Sequence, residues 1–220
     1  EMDMHTTSVT SATQTPPGIN GEQTPPGVSG EAVVDLGPLE DFPSHTLPGF
    51  NDRLMAWLPT MIEHRCSIGE RGGFFERLRT GTWLGHVLEH VTLELQSLAG
   101  TPVGYGRARE TATRGVYWVV IEYKEEAFAI ECLHAAHRLL EAAIDDAPFD
   151  VVAEVARLRK RLLDVQLGPS TRAIVNAAVG RGIPARRLSE GSLVRLGQGA
   201  KQRRIIAAES DATSAVAESI

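Results

Sequence analysis

The sequence predicts an α+β fold, a small antiparallel sheet packed with helices, followed by a shorter, incomplete α/β segment. Three observations carry this reading. Apolar residues recur at helical spacing over 83–98 and 125–144. Two β-rich runs, 103–109 and 116–123, flank a turn holding Thr111 to Gly115. The character of the chain then changes near Asp164.

Residues 1–30 are rich in Thr, Ser, Gly and Pro, contain no Lys or Arg, and carry a near-duplication beginning at Thr15-Pro-Pro-Gly and again at Thr24-Pro-Pro-Gly. Two copies are too few to stack as a solenoid, so a disordered segment is expected over 1–30. A first domain is expected over 31–163. It opens with a short strand, Ala32 to Leu36, stopped by Gly37 and Pro38. A helix follows, capped by Asn51 or Asp52, with Leu54, Met55, Leu58, Met61 and Ile62 as its apolar stripe and a break at Pro59. Phe74, Phe75 and Leu78 share one helical turn. Thr82 is placed to cap the longest helix, from Trp83 to Leu98, which Gly100 and Pro102 end. Helices over 125–144 and 151–163 complete the domain.

From 164 to 220 the pattern is a helix capped by Ser170 or Thr171, a strand near 183–188, strands near 193–196 and 204–208, and the start of a further helix. The chain stops at Ile220 inside that helix, which reads as a domain cut short.

Composition narrows the function. A net charge of −6 disfavours duplex nucleic acid as a general partner, although local basic clusters can still hold a polyanion. No run approaches the roughly 20 apolar residues of a membrane helix, and no basic flank precedes an apolar stretch as in a secretory signal. Cys66 and Cys132 are the only cysteines, without Cys-x-x-Cys spacing. They read as reduced thiols of a cytoplasmic protein.

One constellation has chemical content. His86, His90 and Glu94 stand at i, i+4 and i+8 on one helical face. Two imidazoles at i, i+4 can close on a zinc ion, and a carboxylate can complete the set. Glu89 gives the order His-x-x-Glu-His, that of the inverted zinc-peptidase motif, in which the glutamate is the general base. Glu94 lies about 12 Å along the axis from His86, so Glu63, His64 or Glu122 is an equally suitable third ligand. The same spacings also suit a solvated face of i, i+4 pairs.

Other candidates are weaker. Gly69 to Gly73, with Arg71, reads as a tight turn before an anion site. Arg107 and Arg109 share one side of a strand and suit either a carboxylate clamp or an exposed basic edge. Gly197 to Arg204 lacks the P-loop pattern. His134 and His137 read as structural or solvent-facing.

Several strings, taken together, resemble the cyanophycin synthetase family over about 31–220. They are Leu47 to Asn51, Glu63 to Arg79, Gly81 to Gln96, Leu98 to Thr111, Leu167 to Thr171 and Glu190 to Arg204. The resemblance implies an N-terminal domain over 31–163 that holds a growing Asp–Arg polymer through Arg71, Arg77, Arg107 and Arg109. It implies that 164–220 begins an ATP-grasp domain. The whole protein would then be a homo-oligomeric ligase using ATP and Mg to join aspartate and arginine into cyanophycin, with the nucleotide site beyond Ile220. In some members the N-terminal domain also resembles a metallopeptidase that trims polymer into primers. On that likeness zinc would sit at His86 and His90, with Glu89 as base and Glu94 as a further ligand. The family's usual first strand, with its Arg-Gly-Pro-Asn-type segment, has no counterpart in the Thr-Pro-Pro-Gly repeats.

Overall fold

A computed structural model describes residues 5–10, 28–189, 191–210 and 212. Its contacts divide the chain into two compact units, 1–163 and 164–220. The first unit is helices packed on a small antiparallel sheet, the α+β architecture expected. Four strands, β1 (His5–Thr10), β2 (Val28–Asp35), β3 (Gly106–Glu110) and β4 (Val116–Tyr123), lie in the order β1-β2-β4-β3.

Register follows the pleat. Val34 stands opposite Tyr117, and Ala32 and Ala108 both stand opposite Val119. Tyr117, Val119 and Ile121 are buried while Trp118 between them is 51% exposed, so one face of the sheet meets the helices. The run of 116–123 contains Val, Ile, Tyr and Trp, which suit a half-buried pleated surface.

β1 lies within the stretch read from sequence as disordered. His5 stands opposite Asp35 and Thr10 opposite Glu31, so a first strand occupies the edge beside β2. The stretch carries β-branched Thr6, Thr7, Val9 and Thr10, whose strand propensity is independent of any apolar periodicity. Most of 1–30, and the helix expected toward Ile220, lie outside the described residues.

α1 (Phe50–Trp57), α2 (Gly73–Thr80), α3 (Leu84–Ala99), α4 (Glu126–Ile144) and α5 (Val151–Val165) supply the helical layer. α3 lies against β3 and β4 and packs on α4. Leu84, Val87, Leu88, Val91 and Leu95 are fully buried, and truncating any one of them to Ala costs about 2–5 kcal/mol. Pro59 divides α1 from a 3-10 turn, Pro59–Glu63, as its missing N–H requires. Gly100, at φ 115°, ends α3, and the Arg159 guanidinium donates to the Leu98 carbonyl at 2.9 Å. Among the described residues no helix is long and apolar enough to cross a membrane.

The caps differ from those expected. α1 starts after Gly49 (φ 67°), and the Asn51 amide instead donates to the Leu78 carbonyl at 2.8 Å. α3 starts after Trp83 without a side-chain cap, because the Thr82 hydroxyl turns to His86.

In the second unit α6 (Pro169–Val179) precedes β5 (Ala185–Arg187), β6 (Leu193–Leu196), β7 (Arg203–Ile206) and β8 (Glu209–Ser210), an antiparallel meander. Gly168 stands at the N-cap with Pro169 in the first turn. Thr171, one of the expected caps, donates to the Ala207 carbonyl at 2.7 Å. Leu167, Val194 and Ile205 form the core of this unit.

Candidate metal centre

α3 carries an unusual burden for a core helix. Glu89, His90, Thr92, Glu94 and Gln96 are all buried, and buried polar groups are costly unless each finds a partner. Where those partners come from defines the site.

His86 and His90, one turn apart, meet edge to face with ring centroids 4.7 Å apart, and their Nε2 atoms lie at 3.1 Å. Cys66 Sγ is 3.3 Å from His86 Nε2. One ligand atom from each of Cys66, His86 and His90 lies within 4.8 Å of the others. Phe74 stacks on His90 at 4.2 Å and closes the inner side. The outer side is a cleft of about 880 Å³ lined by Trp83, Glu89, Arg77 and Arg107 among others.

Cys66 reaches the helix from a 3-10 turn, Cys66–Ile68. Its own φ is 51°, in the left-handed region that a non-glycine residue seldom occupies. The turn sits tight against α2: a β-carbon on Gly73 would stand 2.9 Å from the Arg65 carbonyl carbon. Only glycine fits there.

The electrostatics favour neutral imidazoles. Burial, helped by the Arg77 charge, pulls His86 down to about 4. Burial, helped by His86 and His64, pulls His90 down to about 2. Neutral imidazole nitrogens and a sulfur converging on one point are the donor chemistry that suits zinc, with three protein ligands and an open position toward the cleft.

Glu89 stands beside this point, its Oε1 4.0 Å from His90 Nε2. Burial pushes its carboxyl up to about 8, against the opposing pull of the Ala108 backbone hydrogen bond and the Arg107 charge. A buried carboxyl whose proton affinity falls near neutrality is suited to general-base work.

Glu94 takes a different place from the one spacing suggested. Its Oε2 lies 2.8 Å from His64 Nε2, and Thr60 donates to its other oxygen. Burial raises its proton affinity, but the His64 and Thr60 hydrogen bonds prevail and hold the carboxyl below its ordinary range. Glu94 is outside the converging group; it grips His64, whose Nδ1 stands 2.9 Å from His90 Nδ1. Of the other suggested ligands, Glu63 pairs with Arg71 at 2.8 Å. Glu122 accepts the backbone N–H of Gly104 at 2.8 Å and of Tyr105 at 2.9 Å.

The four arginines separate. Arg77 and Arg107 line the cleft, and Arg77 Nε is buried without a hydrogen-bond partner. Arg71 is exposed on its ion pair with Glu63. Arg109 is exposed on β3 opposite Trp118. His134 is exposed, and His137 lies 3.7 Å from Glu141 on the same helix.

With this geometry in place, residues 31–145 match the cyanophycin synthase-like N-terminal domain. The chain belongs to that family. Proteins called cyanophycin synthetase are 45% identical over 175 residues in Crocosphaera subtropica, 44% over 183 in Trichormus variabilis and 42% over 183 in Geminocystis herdmanii. The alignments cover 78%, 82% and 82% of this chain, but only 20%, 20% and 21% of those relatives. The chain thus spans about a fifth of the curated relatives it matches. Cys66, His86, Glu89 and His90, with the arginines of the cleft, all lie within the matched cyanophycin synthase-like domain.

Sequence reasoning missed Cys66 as a donor and left His64 as one of three alternatives. The available signal was a cysteine two residues after His64, in a glycine-rich loop. Its distance of 20 residues from His86 hid the contact.

Proposed function

We propose that this chain is the N-terminal part of a cyanophycin-synthesising ligase, and that its cleft is a metal-dependent site that hydrolyses an amide bond of the Asp–Arg polymer. The observation that carries this is the convergence of Cys66, His86 and His90 beside the Glu89 carboxyl on the wall of an open cleft. A zinc ion on those three donors would supply Lewis-acid polarisation of the scissile carbonyl and lower the pKa of water. Glu89 accepts a proton from the attacking water and returns it to the departing amine. Arg77 and Arg107 hold substrate carboxylates, and the unpartnered Arg77 Nε supports this role. Arg71 and Arg109, farther out, extend the basic track for a long chain, while surface acids meet the polymer's guanidinium groups.

In the whole protein, the unit from Asp164 begins an ATP-grasp domain that uses ATP and Mg to join aspartate and arginine, and the enzyme is a cytoplasmic homo-oligomer. The names of the relatives support cyanophycin synthesis, and the strings Leu167 to Thr171 and Glu190 to Arg204 support the ATP-grasp part of the reading.

A second reading, in which the cleft holds polymer without cutting it, is favoured by the same two cleft arginines. Incubation of the protein with zinc and polymer separates the two. Shortening of the polymer that Glu89→Gln abolishes supports hydrolysis. Salt-sensitive binding with no shortening supports the holding role. Equal shortening by wild type and Glu89→Gln overturns the hydrolytic assignment.

A further inference from the structure

Buried polar groups on α3 leave one chain of contacts that the hydrolytic reading does not use: Thr60 to Glu94, Glu94 to His64, and His64 to His90. Its direction can be worked out from the chemistry of each partner. Thr60 donates its hydroxyl to Glu94, and an ionised carboxylate only accepts. His64 must therefore carry its proton on Nε2, the atom 2.8 Å from Glu94 Oε2. When His64 is neutral, its Nδ1 is then an acceptor. His90 Nδ1, 2.9 Å away, must supply the proton of that contact. His90 Nε2 is left with a bare lone pair, and that atom faces His86 Nε2 at 3.1 Å.

We propose that Glu94 and His64 are positioning residues that fix His90 as the tautomer protonated on Nδ1, so that Nε2 presents its lone pair to the converging donors. The inference rests on the proposed metal site for its purpose, but its geometry is independent of any ion. It also gives Glu94 a role through His64. A carboxylate–imidazole chain behind a ligand histidine fixes its orientation and raises its basicity, and loss of such a partner costs 10–100-fold in metal affinity. Without the chain, a neutral His90 could place its proton on Nε2, where it would block coordination.

The test uses the metal-free protein at pH 8 and long-range nitrogen–proton NMR correlations of the histidine rings. The expected result is His90 protonated on Nδ1 and unprotonated on Nε2, and His64 the reverse. His90 carrying its proton on Nε2 would overturn the proposal. Zinc affinity, measured by competition with a chromophoric chelator, supplies a second readout. His64→Leu removes the acceptor and is expected to weaken zinc about 10–100-fold. His64→Gln can donate its amide to Glu94 and accept from His90 through its carbonyl, and is expected to restore most of that loss. Equal zinc affinity of His64→Leu and wild type, in a folded protein, would also overturn it. If wild type binds no zinc yet shows the expected tautomers, the positioning chain stands and the metal-dependent reading falls.

Discussion

Glu89 and Gly106 touch across the seam between α3 and β3: a β-carbon on Gly106 would stand 2.6 Å from Glu89 Cγ. Real β-carbons do not approach so closely, and the group that must yield is the Glu89 side chain itself. Gly106→Ala is therefore expected to displace the Glu89 carboxyl while leaving Cys66, His86 and His90 in place. The measurement is polymer cleavage beside zinc content. Cleavage should fall by about 100-fold, since small misplacements of a catalytic group are that costly, with zinc content unchanged. Normal cleavage by a folded Gly106→Ala protein would remove Glu89 from the chemistry.

Cys66 is expected to be the ligand most sensitive to conservative change. Cys66→Ser replaces a sulfur donor with a weak hydroxyl and should lower zinc content while leaving far-UV circular dichroism unchanged. Zinc held at the proposed site of the folded state would, at 100 times its dissociation constant, stabilise the wild type by about 2.7 kcal/mol. The melting shift with added zinc should shrink in Cys66→Ser and in His86→Ala, and persist in Glu89→Gln.

In the chelated protein Glu89 should make stability depend on pH. Its folded value of about 8 lies above the ordinary 4.5. The protonated carboxyl therefore contributes stability that is complete below pH 4.5 and is lost as pH rises through 8. Urea unfolding at pH 6 and pH 8.5, with chelator present, should show wild type losing at least about 1 kcal/mol relative to Glu89→Gln across that window. Parallel pH profiles for the two proteins would contradict the shift.

Glu40 holds the neighbourhood of the cleft by purely structural means. It is buried, and its carboxylate accepts from Trp83 Nε1 at 2.7 Å and from the Tyr117 hydroxyl at 3.1 Å. Burial, then the Glu40 carboxylate, drives the Tyr117 hydroxyl far above its usual titration range. Glu40→Leu leaves both donors unsatisfied and should cost about 1–3 kcal/mol for each one that stays buried. Chemical denaturation followed by tryptophan fluorescence would measure it.

Much of this arrangement was legible in the linear chain. The apolar spacing of Leu84, Val87, Leu88, Val91 and Leu95 marks α3, and the β-rich run 116–123 marks β4, whose observed bounds are the same. The pairing of His86 with His90 also follows from helical geometry alone, since residues four apart share a face. The edge strand at His5–Thr10 was not legible, because β-pairing there depends on β2, which follows 18 residues later. Thr82 misled as a cap for a related reason: its hydroxyl found an imidazole, a partner available only once the helix had formed.

The sequence by itself determined the α+β class, the helix carrying two imidazoles and a carboxyl at fixed pitch, and the family to which those strings belong. Only tertiary structure decided the rest of the site. Cys66 and His64 arrive from a loop 20 or more residues away, and whether they reach α3 depends on the Gly73 contact and the Phe74 stack. Glu94 was assigned by pitch to the ion but by packing to His64. A helix repeats every 3.6 residues and rises 1.5 Å at each, so two successive turns can meet at a point but three cannot; the third donor had to come from elsewhere in the fold.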